Sequence, residues 1–140
     1  MKKLLSICTI ALAAGCVADQ PRADMDARAN MDDRSEASLA AALQGRVQAG
    51  PPIACVSQRD LRGNRSAGEG AIIFDGPGGM VYVNRPPAGC PELTGGRALK
   101  TRTPSTRLCS GDIAEVFHPV DGFSYGACGL GDFTPYRRVR

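Results

Sequence analysis

Tryptophan is absent from this 140-residue chain, histidine occurs once, and phenylalanine and tyrosine together number seven. So few aromatic rings argue against the stacking platforms that nucleic-acid modules use, and a net charge of only +3 with scattered arginines offers no basic face. Lysine is scarce as well: residues 51–140 hold one lysine against ten arginines. There is no Cys-x-x-Cys and no His-x-x-x-His, and one histidine cannot build the usual zinc site, so no metal and no cofactor is expected. The longest apolar run is well short of the roughly 18 residues that a membrane helix needs.

That run is nevertheless informative. Lys2 and Lys3 precede eleven largely apolar residues, Leu4 to Ala14, and the stretch ends in Leu-Ala-Ala-Gly-Cys. A positive start, a short apolar segment and small residues before a cut are the parts of an export signal. The small residues placed directly before Cys16 resemble a bacterial lipobox, in which the cysteine is acylated and becomes the first residue of the mature protein. Residues 1–15 are therefore expected to be a lipoprotein signal peptide and Cys16 the lipidation site. Val17, by resemblance to sorting signals, favours the outer membrane, facing the periplasm. The competing reading is ordinary secretion to the periplasm, with cleavage after Ala13 or Ala18. Two or more acyl chains hold a protein stably at a membrane.

Composition changes near residue 50. Residues 17–50 contain no aromatic and no cysteine, whereas residues 51–140 hold every aromatic, 14 of the 17 glycines and nine of the ten prolines. The segment 16–50 is expected to be a lipid-anchored flexible tether, because it has too little apolar surface to offset the entropy of ordering. A short helix is expected within it over 32–47, where Asp33 or Ser35 can cap, Glu36 suits the first turn, and Leu39, Leu43 and Val47 recur at a spacing of four.

Residues 51–140 read as all-β. Residues 71–74 and 80–83 flank Asp-Gly-Pro-Gly-Gly, a hairpin signal. Strands are also expected over 97–103, 112–118, 122–127 and 132–136, which makes a small antiparallel barrel or sandwich. Cys8 leaves with the signal and Cys16 takes lipid, so Cys55, Cys90, Cys109 and Cys128 remain, and an even count in an oxidising compartment implies two disulfides. Three pairings are open. Cys55 and Cys109 sit beside strand-like apolar residues, Cys90 and Cys128 in glycine-flanked turns. Like surroundings favour Cys55–Cys109 and Cys90–Cys128.

Three stretches, MVYVNRPPAGCPEL, STRLCSGDIAEVF and GLGDFTPYRR, resemble a family of small proteobacterial envelope proteins, of sphingomonad type, built on a domain of unknown function. The resemblance spans roughly residues 40–140. It implies export and a small β fold and supplies no catalytic residue.

Candidate chemistry is thin. His118 and Asp121 could orient one another as a base and its partner, but they fall in an expected turn, and a turn histidine is the simpler reading. Asp112, Asp121 and Asp132 are read as isolated turn aspartates. The glycine-rich stretches around 76–80 and 126–131 lead into strands rather than a helix N-terminus, so they are not phosphate loops. Asn64-Arg65-Ser66 fits the glycosylation pattern, which a bacterial lipoprotein would not ordinarily use. Arg137, Arg138 and Arg140 are read as a solvated tail. The candidate interaction surface is Tyr82, Asn84 and Arg85, tyrosine and arginine being common interface anchors, with Tyr125, Phe133 and Tyr136 as extensions. The expected role is a non-enzymatic binding or inhibitory module with a periplasmic protein or envelope component as partner. The alternative is a structural or stress-related envelope lipoprotein without a discrete ligand.

Overall fold

The computed structural model describes residues 20–140, so the expected signal peptide and Cys16 lie outside the described residues. Among the described residues a single α-helix, α1, runs Gln20–Ala42. It replaces the short helix in a flexible tether that was expected. The physical reason is on the chain: residues 22–44 contain neither glycine nor proline, and seven of the helix's 23 residues are alanine, the strongest helix former. Pro21 falls in the first turn, where its missing N–H costs nothing. At 1.5 Å per residue α1 is about 35 Å long. Residues 24–34 are exposed, whereas Ser35 and Leu39 are buried. Val47 does not continue the helical stripe, because the helix has ended and Val47 lies exposed in the first strand. Among the described residues no helix is long and apolar enough to cross a membrane.

Ten strands follow: β1 Arg46–Gln48, β2 Cys55–Ser57, β3 Gly63–Ser66, β4 Ile72–Asp75, β5 Val81–Asn84, β6 Ala98–Thr101, β7 Arg107–Cys109, β8 Ile113–Phe117, β9 Ser124–Gly129 and β10 Phe133–Arg138. All pairings are antiparallel and divide into a five-stranded sheet, β1-β10-β5-β4-β3, a pair, β2-β7, and a three-stranded sheet, β6-β8-β9. No closed barrel forms. The strands divide among three sheets with no ladder between them, and β3 and β6 come close without pairing. β3 reads Gly-Asn-Arg-Ser, with no β-branched or aromatic residue to favour a second partner. The β unit also starts earlier than residue 51: β1 pairs with β10, and the Ala49 N–H donates to Pro135 O at 2.8 Å.

The five-stranded sheet is covered on both faces, because alternate residues of β4 point opposite ways. Ile72 and Phe74 join Phe133, Val56, Leu99, Leu108 and Val116 in the larger core, under the two smaller sheets. The Phe74 and Phe133 rings stack tilted with centroids 5.6 Å apart. Ile73, Val81 and Val83 face the other way and pack with Ala67, Ala71 and Leu39 of α1. Cys55 and Cys109 lie directly opposite in the β2–β7 ladder and are bridged, and Cys90 is bridged to Cys128 on β9. These are the expected pairs, although Cys128 lies in strand β9 and not in the glycine-flanked turn in which it was expected. On the loop-entropy account, closing loops of 54 and 38 residues is worth about 4 kcal/mol each.

Candidate interaction surface

The three residues expected to form an interaction surface do not form one. The register Ile72↔Asn84 and Phe133↔Asn84 puts Asn84 on the larger core's face, fully buried. Its Nδ2 donates to Gly131 O at 2.6 Å and its Oδ1 accepts from the Gly131 N–H at 2.9 Å. A buried amide with both ends satisfied is a structural clamp. Gly131 is required there, since a Cβ at this position would lie 2.2 Å from Arg85 O. Tyr82, two residues earlier and on the same face, packs against the larger core. Only Arg85 faces outward, and it pairs with Glu36 of α1 in a two-pronged contact whose Nη2–Oε2 arm is 3.0 Å. The extensions divide similarly: Phe133 is buried, Tyr136 packs under α1, and Tyr125 alone is exposed.

Arg85 is instead one of the pins that seat the helix. Hydrogen bonding to its guanidinium lowers the Glu36 pKa, against a smaller opposing effect of desolvation, and the same contact raises that of Arg85. Deeper in, Ser35 Oγ accepts from the Glu69 N–H at 3.0 Å and from the Gly70 N–H at 3.3 Å. Gly68, at φ 71°, allows this approach; a Cβ there would sit 2.5 Å from the Ser35 Cα. Beside these pins an open groove of about 660 Å³ separates α1 from residues 85–91. It carries both signs of charge, Arg28 and Arg85 against Asp32, Glu36 and Glu69.

Exposed large apolar side chains are spread over the described surface, Met25 and Met31 on α1, Ile113 on β8 and Val139 after β10 among them, and the two most exposed lie on the turn from β8 into β9. Val120 is 90% exposed and Phe123 69% exposed. Next to them Tyr125 holds the Arg97 guanidinium over its ring at 3.7 Å, and Arg97 in turn pairs with Glu92 at 2.8 Å. The turn itself is fixed: the His118 N–H donates to Phe123 O at 3.0 Å, the Gly122 N–H to His118 O at 2.8 Å, and the Phe123 N–H to Asp121 Oδ1 at 2.9 Å. Two large hydrophobes are thus held in water on an ordered backbone.

His118 Nδ1 stands 3.5 Å from Asp121 Oδ2 and makes no hydrogen bond. Sequence reading missed a serine beside this pair: Gly122 to Gly126 runs Gly-Phe-Ser-Tyr-Gly, the pattern of a nucleophile elbow. The elbow's context is a strand turning into a helix, however, and Ser124 opens β9, an exposed strand paired to β8. No hydrogen bond joins Ser124 to His118 among the described residues, so no relay is assembled. Asp112 caps locally, its Oδ2 accepting from the Cys109 N–H at 2.7 Å. Asp132 is exposed, and no group of three metal-ligating side chains forms among the described residues. The four described cysteines are all bridged. At the chain's end Arg46 and Arg138 lie opposite one another in the β1–β10 ladder, with Arg46 donating to Gly79 O at 2.6 Å. No protein-family model, characterised protein or solved structure matches the chain.

Proposed function

We propose that this chain is a binding module of the cell envelope, held at the membrane through Cys16, that grips a protein partner with the turn between β8 and β9. The observation that carries the reading is the exposure of Val120 and Phe123 on a turn whose backbone is fixed by three hydrogen bonds. Interfaces are organised around large apolar and aromatic anchors that fill a recess on the partner, with a polar rim around them. Here Tyr125, Arg97 and Glu92 supply that rim. The partner is accordingly a folded envelope protein offering an apolar recess. Two disulfides suit the oxidising compartment that the reading requires, and the resemblance to small exported proteins points the same way. A hydrolytic role has weaker footing, because Ser124 and His118 are not joined.

The test is capture from envelope extract with the full, oxidised chain and with the double variant Val120→Ser/Phe123→Ser. Both changes are at exposed sites, so stability should move by no more than about 0.5 kcal/mol. The expected result is one protein recovered at near-stoichiometric yield by the native chain and lost by the variant. Equal recovery by the variant would remove this turn as the contact. The anchor has its own test, since Cys16→Ala should abolish incorporation of radiolabelled palmitate.

A further inference from the structure

Among the described residues the three sheets end in β1 and β3, β2 and β7, and β6 and β9. Edges of natural sheets are guarded against pairing with other chains by short length, charge or proline. β1, β3, β6 and β7 carry Arg46, Arg65, Lys100 and Arg107, and β2 is three residues long. β9 has none of these guards. It is six residues long, reads Ser-Tyr-Gly-Ala-Cys-Gly, and is exposed from Ser124 to Ala127. The Leu130 N–H donates to Asp112 O at 2.9 Å, so by the alternation of an antiparallel ladder Cys128 and Gly126 also face β8. The N–H and C=O groups of Ala127 and Gly129 therefore point away from β8, and among the described residues no hydrogen bond meets them. The register shift of this ladder falls at Tyr125, which leaves Gly126 to Gly129 regular.

Such an edge is completed by another extended backbone. We propose that this backbone is β9 of a second copy, antiparallel about a two-fold axis at Ala127, so that two three-stranded sheets become one of six strands. The axis pairs the edge with itself: Ala127 faces Ala127, Gly129 faces Tyr125, and each outward N–H meets an outward C=O. Gly126, Ala127 and Gly129 have no bulk to hold the two backbones apart, and they form no side-chain pocket that would select a foreign sequence. Antiparallel pairing also sets the turn end of each β8–β9 hairpin beside the open end of the other. At that open end Ile113 is 60% exposed and leans over Gly129, its Cδ1 3.9 Å from where a Cβ would stand. Phe123 of one copy and Ile113 of the other, both left in water by the single chain, thus reach the same end of the joined sheet. The proposal goes beyond the reading of the turn and does not rest on it. Val120 stays at the tip of each turn, outside the pair, so the dimer presents two tips.

Sedimentation equilibrium of the full oxidised chain should show a monomer–dimer equilibrium with a Kd of about 0.1 mM, as suits an interface of a few strand positions. Hydrogen exchange at the Ala127 and Gly129 amides should slow as the chain concentration rises, while that at Val120 does not change. Ala127→Pro removes an outward donor and leaves the β8 ladder complete. It should raise the Kd at least about tenfold. So should Ala127→Lys, which sets two like charges face to face on the axis. A chain that stays monomeric up to about 1 mM would overturn the proposal. A dimer whose Kd neither variant moves would do the same, as would slowed exchange confined to residues outside β9. The exchange measurement on the native chain decides even if a variant fails to fold. These experiments use the pure chain, so pairing by the edge can fail while capture by the turn succeeds, and the reverse.

Discussion

The two faces of the five-stranded sheet are held in different ways. One carries Ile72, Phe74 and Phe133 into a core closed by two covalent bridges and by the Asn84–Gly131 clamp. The other carries Ile73, Val81 and Val83 into a small contact with a helix that is seated by Leu39, Ser35 and one exposed ion pair. The first face is stabilised largely by restricting the unfolded chain and burying large side chains. The second rests on a few groups whose loss leaves the sheet intact. The difference teaches that α1 is a separable element: it should open at a lower free energy than the sheets, as elements with few buried contacts do.

The largest effect should come from the covalent side. Replacing Cys90 and Cys128 together with alanine should lower stability by about 4 kcal/mol on the loop-entropy account. That is a large part of the 5–15 kcal/mol of an ordinary domain. Denaturant melts of the oxidised native chain and the variant measure it, and β4, β8 and β9, which wall the larger core, should lose hydrogen-exchange protection together. Loss confined to β9 would show that the bridge ties down one strand rather than the whole layer.

Leu39→Ala asks the opposite question. Truncating a buried leucine costs about 2–5 kcal/mol when the site cannot escape, and less when the element can lift away. Protection in residues 35–42 should collapse while β8 and β9 keep theirs. A uniform loss of protection would mean that helix and sheets unfold as one unit, and the contrast between the faces would fail.

Asn84→Ala stays within the covalent face but removes no large apolar contact. It leaves the Gly131 N–H and C=O unpaired in the core, which should cost about 2 kcal/mol. Thermal melts check this, and a variant as stable as the native chain would require water to replace the amide.

These residues also show what the sequence could and could not disclose. The hairpin of β4 and β5 was legible because a glycine-proline turn separates two β-branched runs, and β8 and β9 for similar reasons. The Cys55–Cys109 bridge could be read because both cysteines sit among strand-forming residues and share a ladder, whereas Cys90–Cys128 joins a loop to strand β9, so the expected pair forms although the two surroundings differ. β1, β2, β3 and β7 are three or four residues long, and β3 has no apolar side chain, so only its partner β4 makes it a strand. The helix was visible in alanine content, and its extent could have been read from the missing glycine and proline. Asn84 read as surface because its partner is a backbone 47 residues away. Tyr82 follows by the two-residue period, which places it on the same face as Asn84. What a sequence states is local propensity; which polar groups are answered at a distance is decided by the fold.

The smallest expected effect belongs to the Arg85–Glu36 pair, and pH is the lever. Both side chains are more than half exposed, at 54% and 60%, so solvent screens the pair and its contribution is at most about 1 kcal/mol. Glu36 has a carboxyl pKa lowered from the ordinary 4.5, chiefly by its hydrogen bond from Arg85. A lowered folded-state pKa means that the undocked helix binds a proton more readily than the docked one. The stabilisation is therefore complete above the ordinary value and fades as pH falls through the lowered one. Arg85, with its pKa raised, stays charged throughout. The amide shifts of Glu69 and Gly70, whose N–H groups donate to Ser35, report the seating of the helix directly. In the native chain they should drift toward undocked values on acidification below 4.5 and with added salt. In Glu36→Gln the drift should shrink in both cases, since the remaining contact is neutral. An identical acid transition in Glu36→Gln would assign it to other carboxylates. The helix would then be seated by Leu39 and Ser35 alone, and the exposed pair would be an adornment of the contact rather than part of what holds it.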